Sequence, residues 1–147
     1  MKPSGTIAQS IVKIEDQFDS PKFSDIDILK YLRIEAKTED YLNTIKSISK
    51  SNDKTISSWL NINEKTLRNY KQTNSQIKDN IKEHIIYLLR LMTFGNRVFG
   101  SNEEFDRWLN MPNFIFNNEK PTSFINTITG IRFVIDRLTA MEYGDNV

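Results

Sequence analysis

Residues 85–94 read IIYLLRLMTF, an apolar run broken by one charge, Arg90. They lie inside a longer stretch, residues 76–98, where Ile77, Ile81, Ile85, Leu88 and Met92 recur at helical spacing. Upstream the apolar positions form a stripe. Within 85–94 they spread nearly all round the helix. A helix that is apolar on every side needs neighbours on every side, so it belongs in the middle of a bundle or at a protein interface. The run is too short to span a bilayer, and Arg90 interrupts it. Either the rest of the chain or a partner must therefore supply the elements that wrap this helix.

Helical periodicity dominates those elements, and no segment keeps a strand-like alternation. The spacing predicts a short helix over 25–34, with Ser24 as its cap and Ile28, Leu29 and Leu32 inward. Further short helices follow over 41–49 (Leu42, Ile45 and Ile48 inward), 55–60 (Ile56, Trp59 and Leu60 inward) and from Asn63 (Leu67 and Tyr70 inward). Gly95 and Gly100 are expected to loosen the end of the long helix. Ser101 and Glu104 then fit a capping box for a helix carrying Phe105, Trp108 and Leu109. Pro121 suits the first turn of a short helix. Thr129 is the expected cap of the last helix, with Ile131, Val134, Ile135, Leu138 and Met141 inward and Gly144 ending it. The fold class is all-α. With 147 residues there is room for one domain, or two small ones sharing a core. The expected division is an arm over 1–40, a helix-turn-helix region over 41–75 and a C-terminal unit over 76–147. Ile7, Ile11, Val12 and Ile14 would give the arm a weak helix.

The stretch TISSWLNINEKTLRNYKQ, residues 55–72, has the form of two short helices meeting at a sharp corner. Asn61 falls where the chain needs a positive φ, which Asn tolerates better than most residues. With Leu67 and Tyr70 turned inward, Lys65, Thr66, Arg68, Asn69 and Lys71 are left to share the outer surface. Arg and Asn can read guanine and adenine edges, while Lys and Thr hold phosphates. Charge follows the corner. Residues 41–72 carry six basic side chains against two acidic ones, Asp53 and Glu64, whereas residues 1–40 carry six basic against eight acidic. A solvated structural helix pair would show the same features, so both readings stand. A DNA-reading corner would also predict a homodimer on paired half-sites.

Little in the sequence supports catalysis. There is no cysteine and only one histidine, His84, inside the long helix. No Gly-rich phosphate loop and no metal-ligand spacing are found. The pair Glu103–Glu104 is explained by the favourable start of a helix. The reading is a non-enzyme that needs no cofactor and no metal. The first residues lack the continuous apolar core of a signal peptide, and a cytoplasmic location is expected.

The C-terminal half carries an ordered set of motifs: Val98-Phe99-Gly100, Trp108-Leu109, Pro112-Asn113, Pro121, Gly130 and Glu142-Tyr143-Gly144. This set resembles the toxin-binding domain of the Xre/MbcA/ParS antitoxins. Phe124 stands where that family usually has Leu, and residues 114–118 replace its small Gly-rich loop. Upstream, LNINEKTLRNYK resembles the family's helix-turn-helix, with Asn61 in place of Gly. The resemblance implies a type II antitoxin that covers or enters the active-site cleft of a cognate toxin, usually a RES-domain enzyme that degrades NAD. It also implies repression of its own operon through operator DNA, as a homodimer within a hetero-oligomeric complex and without a membrane. Residues offered for toxin contact are the aromatics Phe114, Phe116 and Tyr143, expected to be exposed, the cations Arg107, Arg132 and Arg137, and the tail Asp145, Asn146 and Val147. Trp108, Leu109, Val134 and Leu138 are expected in the core. Two other readings remain: a stand-alone helix-turn-helix regulator with an unknown effector, and a toxin binder that has lost DNA binding.

Overall fold

The computed structural model describes residues 24–33, 38–72 and 77–144. Those residues form seven α-helices and two short 3₁₀ helices: α1 (Asp25–Leu32), α2 (Thr38–Ser49), α3 (Asp53–Trp59), α4 (Glu64–Gln72), α5 (Asp79–Phe99), α6 (Asn102–Leu109), the 3₁₀ turns Phe114–Phe116 and Pro121–Ser123, and α7 (Ile128–Glu142). The expected arm over Ile7, Ile11, Val12 and Ile14 lies outside the described residues.

The all-apolar run behaves as its composition demands. Every residue from His84 to Met92 is buried, as are Phe94 and Gly95. Helix α5 packs against α1, α2, α6 and α7. Burying a large aliphatic or aromatic side chain stabilises by roughly 1.5–3 kcal/mol, so this helix is the main source of cohesion. Arg90, only 5 % exposed, lies over the Phe94 ring at 5.1 Å, where the ring face offers a cation partial compensation for lost water.

Local chemistry sets the helix ends. Ser24 caps α1: its backbone N–H and its hydroxyl both donate to Asp27 Oδ2, at 2.8 and 3.0 Å. The Ser24 backbone bond is the main reason the Asp27 carboxyl titrates below its ordinary range. The open C-terminus of α1 is closed by Lys82, whose Nζ donates to the Leu32 carbonyl at 2.8 Å. Ser101 accepts the Glu104 N–H at 3.2 Å, but the Glu104 carboxylate turns to Arg107 at 2.8 Å and does not complete the box.

Three expectations are corrected. The buried face of α1 is Ile28 and Tyr31, and Leu29 is 54 % exposed. A face centred between positions 28 and 31 leaves position 29 about 130° round the helix, and apolar spacing alone does not choose between the two faces. Gly95 does not loosen α5. It is buried inside the helix, and α5 runs on to Phe99 before Gly100 (φ 83°) stops it. The cap of α7 is Thr127, whose hydroxyl accepts the Gly130 N–H at 3.0 Å, and not Thr129.

A polar seam joins the two halves. The Ile48 carbonyl, near the end of α2, accepts from Asn96 Nδ2 of α5 at 2.9 Å and Asn102 Nδ2 of α6 at 3.2 Å. These bonds satisfy an orphan carbonyl at a helix end. Lys50 adds an ion pair to Glu103 at 2.7 Å, but both side chains are exposed, so it contributes little.

His84 is a buried titratable group of the central helix. Its Nε2 lies 3.1 Å from the Ile125 carbonyl, and burial pushes its pKa below the usual histidine value. The neutral ring is therefore the folded form. The unfolded chain gains a proton below about pH 6.5 while the folded chain resists it, so stability is full above that pH and falls as pH drops below it. Urea unfolding at pH 7.5 and pH 5.5 should show a loss at the lower pH that His84→Gln reduces. The carboxylates with lowered pKa, Asp27, Asp53 and the exposed Glu103, have ordinary values of 3.8, 3.8 and 4.5, below that window, and contribute little within it.

Candidate functional site

Helices α3 and α4 meet at the predicted corner. Asn61 has φ 55°. The Asn61 N–H donates to the Ser58 carbonyl at 3.1 Å and the Ile62 N–H to the Ser57 carbonyl at 3.0 Å. This is a Schellman ending with Asn at the left-handed position. Two residues on, Asn63 Oδ1 accepts the Thr66 N–H at 2.7 Å and starts α4. Leu60 and Leu67 are buried, and Ile62 and Tyr70 are half-buried against the same core.

The outer surface of α4 presents Lys65, Arg68 and Asn69 to solvent, with Thr66 half-buried. Lys71 sits apart from them. It reaches back to α3, where its Nζ lies 2.6 Å from Asp53 Oδ1, with Lys46 3.6 Å from the same oxygen. The Lys71 hydrogen bond is the main reason the Asp53 carboxyl is held below its ordinary range. Lys50 is paired with Glu103. Of the six cations counted in the sequence, Lys54, Lys65 and Arg68 have no ion pair among the described residues. The basic surface is thus narrower than the charge count indicated, because lysines of this region also brace its helices.

The C-terminal half is built on a column of rings. Phe99 stacks on Phe105 at 5.7 Å, Phe105 on Trp108 at 6.1 Å, Trp108 meets Phe116 edge-on at 5.8 Å, and Phe116 contacts Phe124 at 5.5 Å and Phe133 at 5.2 Å. Phe116, expected as an exposed anchor, is instead 1 % exposed. In a three-residue 3₁₀ turn alternate residues point in different directions, so Phe116 enters the column while Phe114 leaves it. Phe114 is 72 % exposed and Tyr143 75 %. Leu109, Val134 and Leu138 are core as expected, and Trp108 is half-buried.

The three arginines differ. Arg107 is exposed and held by Glu104 of its own helix. Arg132 lines a cleft of about 130 Å³ with Ser24, Asp25, Ile28, Tyr87, Arg90, Ile135 and Asp136, between α1, α5 and α7. Arg137 is half-buried, and its Nε is buried without a hydrogen-bond partner among the described residues. Asp145, Asn146 and Val147 lie outside the described residues. Two further exposed apolar side chains, Met111 at 55 % and Phe133 at 41 %, were missed from the sequence. Phe133 carried a usable signal, since it sits off the Ile131–Val134–Leu138 stripe.

Among the described residues, no helix is long and apolar enough to cross a membrane, and no group of His, Asp and Glu side chains could hold a metal ion. The C-terminal segment is thus a helical surface with exposed aromatic side chains on a ring-packed core, joined to a helical corner. Residues 95–144, from the end of α5 through α7, match the family model described as antitoxin Xre/MbcA/ParS C-terminal toxin-binding domain. That segment is similar to the toxin-binding domain of this family, and the similarity supports an antitoxin role with a cognate toxin as partner. No curated protein and no solved structure matches the chain.

Proposed function

We propose that this protein is the antitoxin of a type II toxin–antitoxin pair, and that it blocks a RES-domain, NAD-degrading toxin by covering its active site. The observation that carries this reading is the toxin-binding match over 95–144, a segment whose apolar side chains are not all consumed by its own core. Inhibition by coverage asks no chemistry of this chain. Phe114 and Tyr143 are the exposed aromatic anchors of the toxin-facing surface, the residue type enriched at binding hot spots. Arg107, Arg132, Arg137 and the tail Asp145, Asn146 and Val147 complete it. Residues 76–147 form the toxin-binding unit, 41–75 the DNA-reading unit and 1–40 an added arm that serves self-association. The protein works in the cytoplasm as a homodimer within the complex.

Operator binding, and through it repression of its own operon, rests on the Schellman corner at Asn61 and the exposed Lys65, Arg68 and Asn69, with Thr66 at the edge and Lys71 bracing the helix. Arg68→Ala is expected to weaken operator binding by about 10-fold, in line with loss of one good base contact. Toxin binding should be unchanged. Wild-type affinity should fall with salt at a log–log slope of about −0.9 per phosphate neutralised. A flat salt response, or equal loss of both activities in Arg68→Ala, would make the corner structural. For the toxin itself, NAD loss catalysed by the purified partner should stop when this chain is added in stoichiometric amount. Undiminished NAD loss in the presence of a stable complex would exclude active-site coverage.

A further inference from the structure

The turn that carries Phe114 is fastened at every point except that side chain. Asn113 Oδ1 accepts the Ile115 N–H at 3.0 Å. The Asn113 N–H donates to the Glu119 carbonyl at 3.1 Å, and the Asn118 N–H returns to the Asn113 carbonyl at 3.0 Å. Asn117 and Asn118 hold left-handed backbone, φ 56° and 63°, which Asn accepts at lower cost than other side chains. Below, Phe116 is locked among Trp108, Phe124 and Phe133. The result is a closed loop over 113–119 that holds one ring, Phe114, in water. The fold gains little from that ring: it lies outside the column and 72 % of it is exposed. Four of the six exposed large hydrophobics among the described residues (Met111, Phe114, Phe133 and Tyr143) fall in the segment that matches a toxin-binding domain, and Phe114 alone stands on a loop tied across its base.

We propose that Phe114 is a pre-organised aromatic key that inserts into an apolar pocket on the toxin and sets which toxin this antitoxin accepts. The inference deepens the proposed function and rests on it. Binding a mobile loop costs the entropy of ordering it. A loop already closed by Asn113, Asn117 and Asn118 avoids that cost, so burial of the ring goes into affinity. A ring of fixed position also discriminates, because a partner whose surface lacks the pocket meets a protruding side chain it cannot accommodate. The toxin is the occupant because the loop lies within the segment that matches a toxin-binding domain. A second copy of this chain is the competing occupant.

The test uses the full chain and the purified toxin encoded beside it. Dissociation of the complex is followed for wild type, Phe114→Ala, Phe114→Tyr and the neighbouring surface control Glu119→Ala. Phe114→Ala should keep the wild-type circular dichroism and melting temperature, because the ring supports little inside the fold. Its complex should dissociate at least about 30-fold faster, the range of an interface hot spot. Phe114→Tyr should recover most of the loss, and Glu119→Ala should match wild type. Wild-type binding with Phe114→Ala unchanged within about 2-fold would overturn the key while leaving the antitoxin reading standing. Loss of self-association in Phe114→Ala, with the toxin complex intact, would assign the ring to a second copy and also overturn it. Failure of the wild-type chain to bind the toxin at all would remove the antitoxin reading, and the key with it.

Discussion

Gly130→Ala is expected to lower stability by about 3 kcal/mol, the upper part of the range for an added group in a filled site, and the melting temperature by roughly 10 °C. A Cβ at this position would lie 1.6 Å from the Phe124 carbonyl oxygen and 2.6 Å from its carbon. Both atoms are backbone, so no rotamer change relieves the clash. The glycine lets the second 3₁₀ turn press its carbonyl onto the start of α7, where Thr127 caps the helix at the Gly130 N–H. Relief would require α7 to shift, and with it Ile131, Val134 and Leu138, all fully buried. The ordinary gain of about 1 kcal/mol for Gly→Ala in a helix is too small to compensate. Thermal unfolding by circular dichroism reads the effect, and a variant that melts with wild type would contradict the close approach.

Gly95→Ala is expected to cost a similar amount, about 3 kcal/mol, for a different reason. Here the obstacle is a side chain. The added methyl would lie 2.2, 2.3 and 2.5 Å from three carbons of the Phe105 ring. Phe105 has little room to retreat: it is fully buried and stacked against both Phe99 and Trp108, which also meet each other at 5.4 Å. Because the obstacle is one ring, a smaller residue should relieve it. Phe105→Leu alone should destabilise, and the double variant Gly95→Ala/Phe105→Leu should lose less than the sum of the singles by at least about 1 kcal/mol. Urea unfolding of the four proteins measures that coupling. Simple additivity would mean that the cost of Gly95→Ala arises elsewhere in α5.

These two glycines mark where sequence reasoning reached and where it stopped. Gly130 was legible as part of a motif and Gly95 only as a potential helix breaker. The reason for each lies in an atom from another element, Phe124 or Phe105, and helical spacing within one segment does not reveal packing between segments. The central helix was legible because a run apolar on all sides has few possible placements. The corner was legible because Asn61 and Asn63 do their work within a few residues of themselves. Charge was less legible. The sequence counts Lys71 as part of a basic patch, but Asp53, eighteen residues away, turns it into a brace. The rings show the same limit. Phe114 and Phe116 are identical in type and two residues apart, yet one is a surface feature and the other is core. That difference follows from the 3₁₀ turn, and Asn113, Asn117 and Asn118 reveal the turn only once their bonds are seen.

The account rests on the chain's being an antitoxin, and growth tests that most directly. The product of the neighbouring gene is expressed alone and then together with this chain, and the pair is recovered on one tag. The account predicts arrest with the neighbour alone, restored growth when this chain is present, and a stable complex on the tag. A neighbour that does not slow growth and does not co-purify with this chain would contradict it, and the corner at Asn61 would then become the main clue to function.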